Sequence, residues 1–379
     1  MAERLHLIPG RAAAGSAANA FPNETVAHLG DVLTEGPVEP LDTQPTLRDW
    51  LRARYGFSSS RGGAQYARAR SDSREEMDAF CDVFEQFDDF DEVVVWAADG
   101  LGENLMACWF RVAADVEGYD LSKLRIASPG FQDMPPTGVY LGACAPENFA
   151  RGNRRPWSDS ELRAARRAWE AFTAPTPEPL LELISEGLDV DLLDPLPELL
   201  GRYPSAETGL DVWEEQLLRR LADHTEPTAR TIGEVLGRGW EQSRDHIGDA
   251  ALFDRVLELS DPSIPRRLLH RWGTGSSLRT TYFALTEHGR DVLEGAEHRV
   301  DAMGLERWIG GVHLDSTTGS VWSRRASKLE LVSYPNASRR VARAASISMD
   351  RTREFRSDRQ HLVVGRGYGP LAPVVHPER

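Results

Sequence analysis

The chain has 379 residues, with 44 Lys+Arg against 59 Asp+Glu, a formal net charge of -15, 41% hydrophobic and 27% charged residues. That composition suits a protein able to bury real cores and excludes collagen-like, coiled-coil and wholly disordered chains. At roughly 100–200 residues per domain the length predicts two or three structural units, and a body of this charge repels polyanions as a whole.

Leu5-His6-Leu7-Ile8, ended by Pro9-Gly10, reads as a short buried strand. The alanine-rich Arg11–Ala20 after it reads as a helix. A second strand is predicted at Thr25–Leu29, a helix over Leu47–Tyr55, and a flexible loop over Ser58–Gly63. Over residues 74–90, Met77, Phe80, Cys81, Phe84 and Phe87 recur at helical spacing, opposite a solvated acidic face. The β-branched run Val93–Trp96 predicts a strand buried on both sides, followed by a helix near Asn104–Ala114 and strands at Leu124–Ala127 and Val139–Leu141. Strands alternating with helices give an α/β domain over residues 1–150 with a mostly parallel sheet.

Such sheets bind ligands at the carboxyl ends of their strands. Three ends here carry candidate binding residues: Gly10, Arg11, Gly15 and Ser16; Asp31 and Glu35; and Asp99, Glu103 and Asn104. The amino terminus of the first helix offers free N–H groups and a favourable dipole for an anion. The Gly10–Gly15 spacing suggests a phosphate loop, but Ser16 and Ala17 stand where a nucleotide hydrolase needs Lys and Ser/Thr. A small anionic or nucleotide-like ligand is therefore the leading expectation. Acid–base chemistry by Asp31, Glu35 or Glu103, hydrolytic or transferring, is the alternative, and no catalytic residue, cofactor or metal is assigned.

Residues 151–208 read as a helical linker region. Ser158-Asp159-Ser160-Glu161 is a capping box before the stripe Leu162, Ala165, Trp169, Phe172, and a further helix runs from Glu178 to Glu186 before Gly187. Over 209–331, Asp211–Glu214 caps a helix. Others follow near Thr228–Leu236 and Asp249–Leu259, then a hairpin around Gly273–Ser276 and a short helix capped by Thr286. The carboxyl half is thus mainly α with a winged-helix-like core, an order that invites DNA binding. Yet residues 211–295 carry 11 Arg against 15 Asp+Glu, the wrong sign for phosphates, which leaves Arg266, Arg267, Arg271 and Arg279 at the hairpin as the DNA contact and makes a protein partner the better expectation.

Residues 321–379 have a net charge of +7 and residues 1–320 a net of -22. The segment 332–379 reads as a basic, disordered tail. No apolar run reaches the ~20 residues of a membrane helix, and no secretory signal is expected over Met1–Asn23. Cys81, Cys108 and Cys144 fit neither a disulfide framework nor a zinc site, so a cytoplasmic location is expected.

The chain resembles the bacterial family grouped as domain of unknown function 1835. The resemblance rests on Leu5–Gly10 with Ala14-Gly15-Ser16, Asp31–Pro37, Val95-Trp96 and the Asp99–Leu105 turn. In the second half it rests on Leu210 with Glu214, Ile247-Gly248-Asp249, Leu285-Thr286-x-x-Gly289-Arg290, and Arg307-Trp308-Ile309-Gly310-Gly311-Val312-His313-Leu314. It covers residues 5–330 and implies the domain layout, without an activity. The chain departs from the family pattern in having Asp99-Gly100 and Glu103-Asn104 where the family has a His-Asp pair and a later Asp-Gln.

Overall fold

The computed structural model describes residues 3–334, apart from 31–32, 62–66, 133–137, 188–189, 224–225 and 274–276. In chain order the first lobe comprises β1 (Arg4–Pro9), α1 (Arg11–Ala20), β2 (Thr25–Leu29), α2 (Leu47–Arg61), α3 (Ala67–Phe84), β3 (Glu92–Trp96), α4 (Leu101–Val116), β4 (Leu124–Ser128), the short α5 (Pro146–Ala150) and β5 (Asn153–Pro156). The sheet order is β2-β1-β3-β4-β5, parallel except for the antiparallel pairing of β5 on β4. Period-two alternation sends Leu5, Leu7, Val93 and Val95 to the face covered by α2, α3 and α4. Ile8, Val94 and Trp96 go to the face covered by Ala13, Ala14 and Ala17 of α1. Burial on both faces is what an unbroken β-branched run such as Val93-Val94-Val95 requires.

Three local expectations are corrected. Helix α2 continues to Arg61 through Ser58-Ser59-Ser60, where a loop was expected; serine lowers helix propensity only slightly, and nothing in that run forbids it. Residues 62–63 of that loop lie outside the described residues. Helix α3 ends at Phe84, and Phe87 belongs to a separate turn of 3₁₀ helix (Phe87–Asp89) that still buries its ring. The segment Val139–Leu141 is no strand: Leu141 opens a 3₁₀ turn, and β5 takes the edge position instead. All four β5 residues are exposed, so no hydrophobic pattern announces it, and Pro156 is tolerated because the strand lies at an edge.

The rest of the chain wraps around this lobe. Helix α6 (Asp159–Phe172) begins with the expected capping box, Ser158 Oγ accepting from Glu161 N at 3.2 Å and Glu161 Oε2 from Ser158 N at 2.9 Å. Its Ala165, Trp169 and Phe172, with Leu180 and Leu183 of α7 (Glu178–Glu186), join the core of the sheet's α4 face. A second core lies among α8 (Val212–Asp223), α9 (Thr228–Gln242), α10 (Asp249–Leu259), the hairpin β6 (Leu269–Gly273) and β7 (Thr281–Leu285), and α11 (Glu287–Leu293). After α12 (Arg299–Met303), two hairpins follow: β8 (Glu306–Ile309) with β9 (Val312–Asp315), and β10 (Ser320–Arg325) with β11 (Lys328–Ser333). Ile309, Val312, Leu314 and Val321 return to the first core, so the mainly helical half is bracketed by segments packed on the sheet lobe. Of the expected basic tail, residues 335–379 lie outside the described residues, and Ser333 ends β11.

The turn between β8 and β9 is pinned by backbone alone. Val38 N donates to Gly310 O, and Gly311 N to Phe172 O, each at 2.9 Å. Gly310 has φ 57, and a Cβ on Gly311 would strike the carbonyl of Thr173. Gly311→Ala is accordingly expected to cost about 1–3 kcal/mol of overpacking, read as a lower urea midpoint at unchanged slope.

Candidate functional site

Along the chain, the connection leaving β1 runs through α1 to β2, and that leaving β3 runs through α4 to β4, on opposite faces of the sheet. Between β1 and β3 the strand order reverses. Register Leu7↔Val95 carried forward sets Gly10 level with Ala98, so the start of α1 and the Asp99–Asn104 turn stand side by side at one edge.

Gly10 (φ 81) is the hinge that turns strand directly into helix, its N–H held by Leu29 O at 3.0 Å. Helix α1 has no side-chain cap and no acidic residue in its first turn. Arg11 is exposed and ion-paired with Glu76 of α3. Gly15 and Ser16 lie inside α1, a full turn above its first amides, and a Cβ on Gly15 would meet nothing. Asp31 lies outside the described residues.

Asp99 pins the following loop: its Oδ2 accepts from Val139 N at 2.7 Å, and its own N–H donates to Val139 O at 3.0 Å. Glu103 sits in the first turn of α4 with Oε1 accepting from Leu141 N at 2.8 Å. Burial pushes its carboxyl up to about 7, against the opposing pull of the Leu141 and Gly100 amides and with a further push from Asp99. Among the described residues Glu103 Oε2 and Asn104 Oδ1 are buried without a hydrogen-bond partner. The amino terminus of α4 itself is occupied by the protein's own chain, since Leu101 N donates to Arg244 O at 2.8 Å. Beside it the Tyr140 ring packs on His246, with centroids 3.6 Å apart, and burial lowers the His246 imidazole to about 4.

Glu35 has a different fate. It is paired with Arg202 and, at 3.3 Å, with Arg255 of α10. From there a buried ionic chain extends through the carboxyl half. Arg202 forks onto Asp245 at 2.6 and 2.7 Å, and Trp213 Nε1 also donates to Asp245 at 3.0 Å. Arg255 Nε lies 3.5 Å from Asp211, Arg307 reaches Asp211 at 2.5 Å and Glu214 at 2.7 Å, and Arg299 joins Glu214 to Glu258. Asp211 and Glu214 also cap α8 reciprocally, at 2.7 and 3.0 Å. Burial works to raise the Glu35 and Glu214 carboxyls, but the surrounding guanidinium groups outweigh it and hold both low. Asp211 goes the other way, raised by burial and by the charge of Glu214.

Sequence reasoning missed Arg202, Arg255, Asp245, Tyr140 and His246. The available signal was arginine at apolar positions, Arg202 after Leu199-Leu200 and Arg255 between Phe253 and Val256. It also missed that His288, Asp291 and Glu297 bring ligand-type atoms within 4.8 Å of one another. There Arg266, 2.6 Å from Glu297 Oε1, already supplies a cation. The three cysteines are buried and free. No helix among the described residues is long and apolar enough to cross a membrane. No protein-family model and no curated protein matches the chain.

Proposed function

We propose that the protein binds a small anionic, nucleotide-like ligand where β1 and β3 end, with the anionic group at the amino terminus of α1. The reversal of strand order between those two strands carries this reading, because open α/β sheets bind ligands at such a switch point, outside the carboxyl ends of their strands. Support comes from α1 itself: its first-turn amides lack a side-chain cap, and none of its own first-turn residues is acidic. Glu103, titrating near neutrality at the same edge, is the group suited to exchange a proton with the ligand. That property favours, as a second reading, an acid–base hydrolase or transferase using Glu103. Glu35 does not suit the role, since two guanidinium groups hold it ionised.

The same proposal includes membership of the family of domain of unknown function 1835 and a winged-helix-like arrangement for α8 to α11. The isolated antiparallel bridge Pro227–Tyr282 supports the latter, as it pairs the connection between the first two helices of that order with β7. Helix α10 stands where such modules read a DNA groove, yet Asp249 is its one exposed residue, and Arg255 and Glu258 are turned into the ionic chain. Its work is to hold the two halves together.

The test is Ala12→Asp. Ala12 is exposed in the first turn of α1, where a carboxylate supports the helix by about 0.3–1 kcal/mol. The same charge occupies the place of the ligand anion and is expected to weaken it by about tenfold or more. Calorimetric titration with inorganic phosphate and nucleoside phosphates should show binding lost while the melting temperature holds or rises. Equal binding by Ala12→Asp, or no binding of any phosphate-bearing probe by the unsubstituted protein, sinks the proposal. Turnover of a phosphoester that vanishes in Glu103→Gln would establish the enzymatic reading.

A further inference from the structure

The hairpin β6–β7 lies over the second core and carries exposed basic residues. Residues 262–286 contain four arginines and no acidic residue, in a chain whose net charge is -15. Arg266 is engaged by Glu297, whereas His270, Arg271 and Arg279 are exposed. Trp272, 43% accessible, is the one Phe, Tyr or Trp among the described residues whose side chain is exposed. Its ring lies nearly parallel to that of Tyr282, 10° between planes and 6.0 Å between centroids. Register explains the pairing: Trp272 stands opposite Tyr282, and His270 opposite Ala284, so these four share the outer face of the ribbon. The alternate residues Leu269, Phe283 and Leu285 are buried in the core beneath.

We propose that this hairpin docks single-stranded nucleic acid, with Trp272 as the platform on which an unpaired base stacks and the exposed Arg279 meeting the adjoining phosphates. Exposed cations select a polyanion, and a flat exposed indole selects one that carries free π-faces. A duplex hides those faces within its own stack, and the helix that would enter a major groove is buried against the other half of the chain. The surface is separate from the carboxyl edge of β1 and β3, so this inference stands whether or not a small ligand binds there.

The experiment is fluorescence anisotropy of a labelled oligothymidylate, titrated with the full chain from low to moderate salt. Binding should weaken with salt at a log–log slope of about -0.7 for each phosphate neutralised. Arg279→Ala should make that slope shallower by about 0.7 at little cost to folding, because the side chain is exposed. Trp272→Ala should weaken binding by about tenfold, Trp272→Phe by less, and a blunt duplex of equal length should bind more weakly than the single strand. Three results would overturn the proposal: no binding at low salt, equal affinity of the Trp272→Ala and unsubstituted proteins, or equal preference for the duplex. A self-association of the unsubstituted protein abolished by Trp272→Ala in sedimentation would instead make the face a contact between copies of this chain, and would equally overturn it.

Discussion

Arg307→Leu is expected to destabilise the protein by about 3–5 kcal/mol, because it leaves Asp211 and Glu214 buried with a shared cation gone. Urea unfolding read by tryptophan fluorescence should show the midpoint falling steeply. A double-mutant cycle with Glu214→Leu should recover part of the loss, since the second change removes one of the stranded charges. The effect has a pH signature. Glu214, Glu35 and Glu258 are held below the ordinary carboxylate range by their guanidinium partners despite burial. Their contribution is present above the unfolded value of about 4.5 and lost as pH falls through the lowered folded values. The acid limb of the stability profile should therefore flatten in Arg307→Leu. An unchanged midpoint would mean that the chain of charges linking α8, α10 and the β8–β9 hairpin contributes nothing to holding them.

Glu103→Gln should act in the opposite direction and at the opposite end of the pH scale. The folded carboxyl titrates near 7 and the unfolded one near 4.5. Between those values the native state keeps a proton that the unfolded chain has released, so stability is greatest below about 4.5 and declines as pH rises through 7. The difference corresponds to an order of 3 kcal/mol at alkaline pH. Glutamine preserves the acceptor for Leu141 N–H and cannot ionise. It is expected to raise the melting temperature at pH 8 and to leave it nearly unchanged at pH 4.5. If the stability gain comes with loss of ligand binding or turnover, Glu103 is a residue held in an unfavourable state for the sake of its chemistry. A uniform shift at every pH would remove the special titration of this carboxyl.

Strands β1, β2, β3 and β4 were legible because each is a short apolar run ended by glycine, proline or a charged turn, and the helices of the carboxyl half because their caps are written in Ser158, Asp211 and Thr286. That Gly10 and Asp99 follow neighbouring parallel strands was legible from the alternation of strand and helix. Other features left no one-dimensional trace. Strand β5 has no buried residue to mark it. The meeting of Glu35 with Arg202 and Arg255, 167 and 220 residues away, is a tertiary event that local periodicity does not encode. The Gly310-Gly311 pair is plain in the sequence, but what packs against it, the carbonyl end of α6, is not.

The position of β5 has a consequence for anyone wishing to study the sheet alone. A fragment stopped at residue 150 would strip β4 of its outer neighbour and uncover the α4 surface on which Trp169 and Phe172 rest. Bare strand edges and large apolar patches invite clumping, so such a piece should emerge insoluble rather than as a working half.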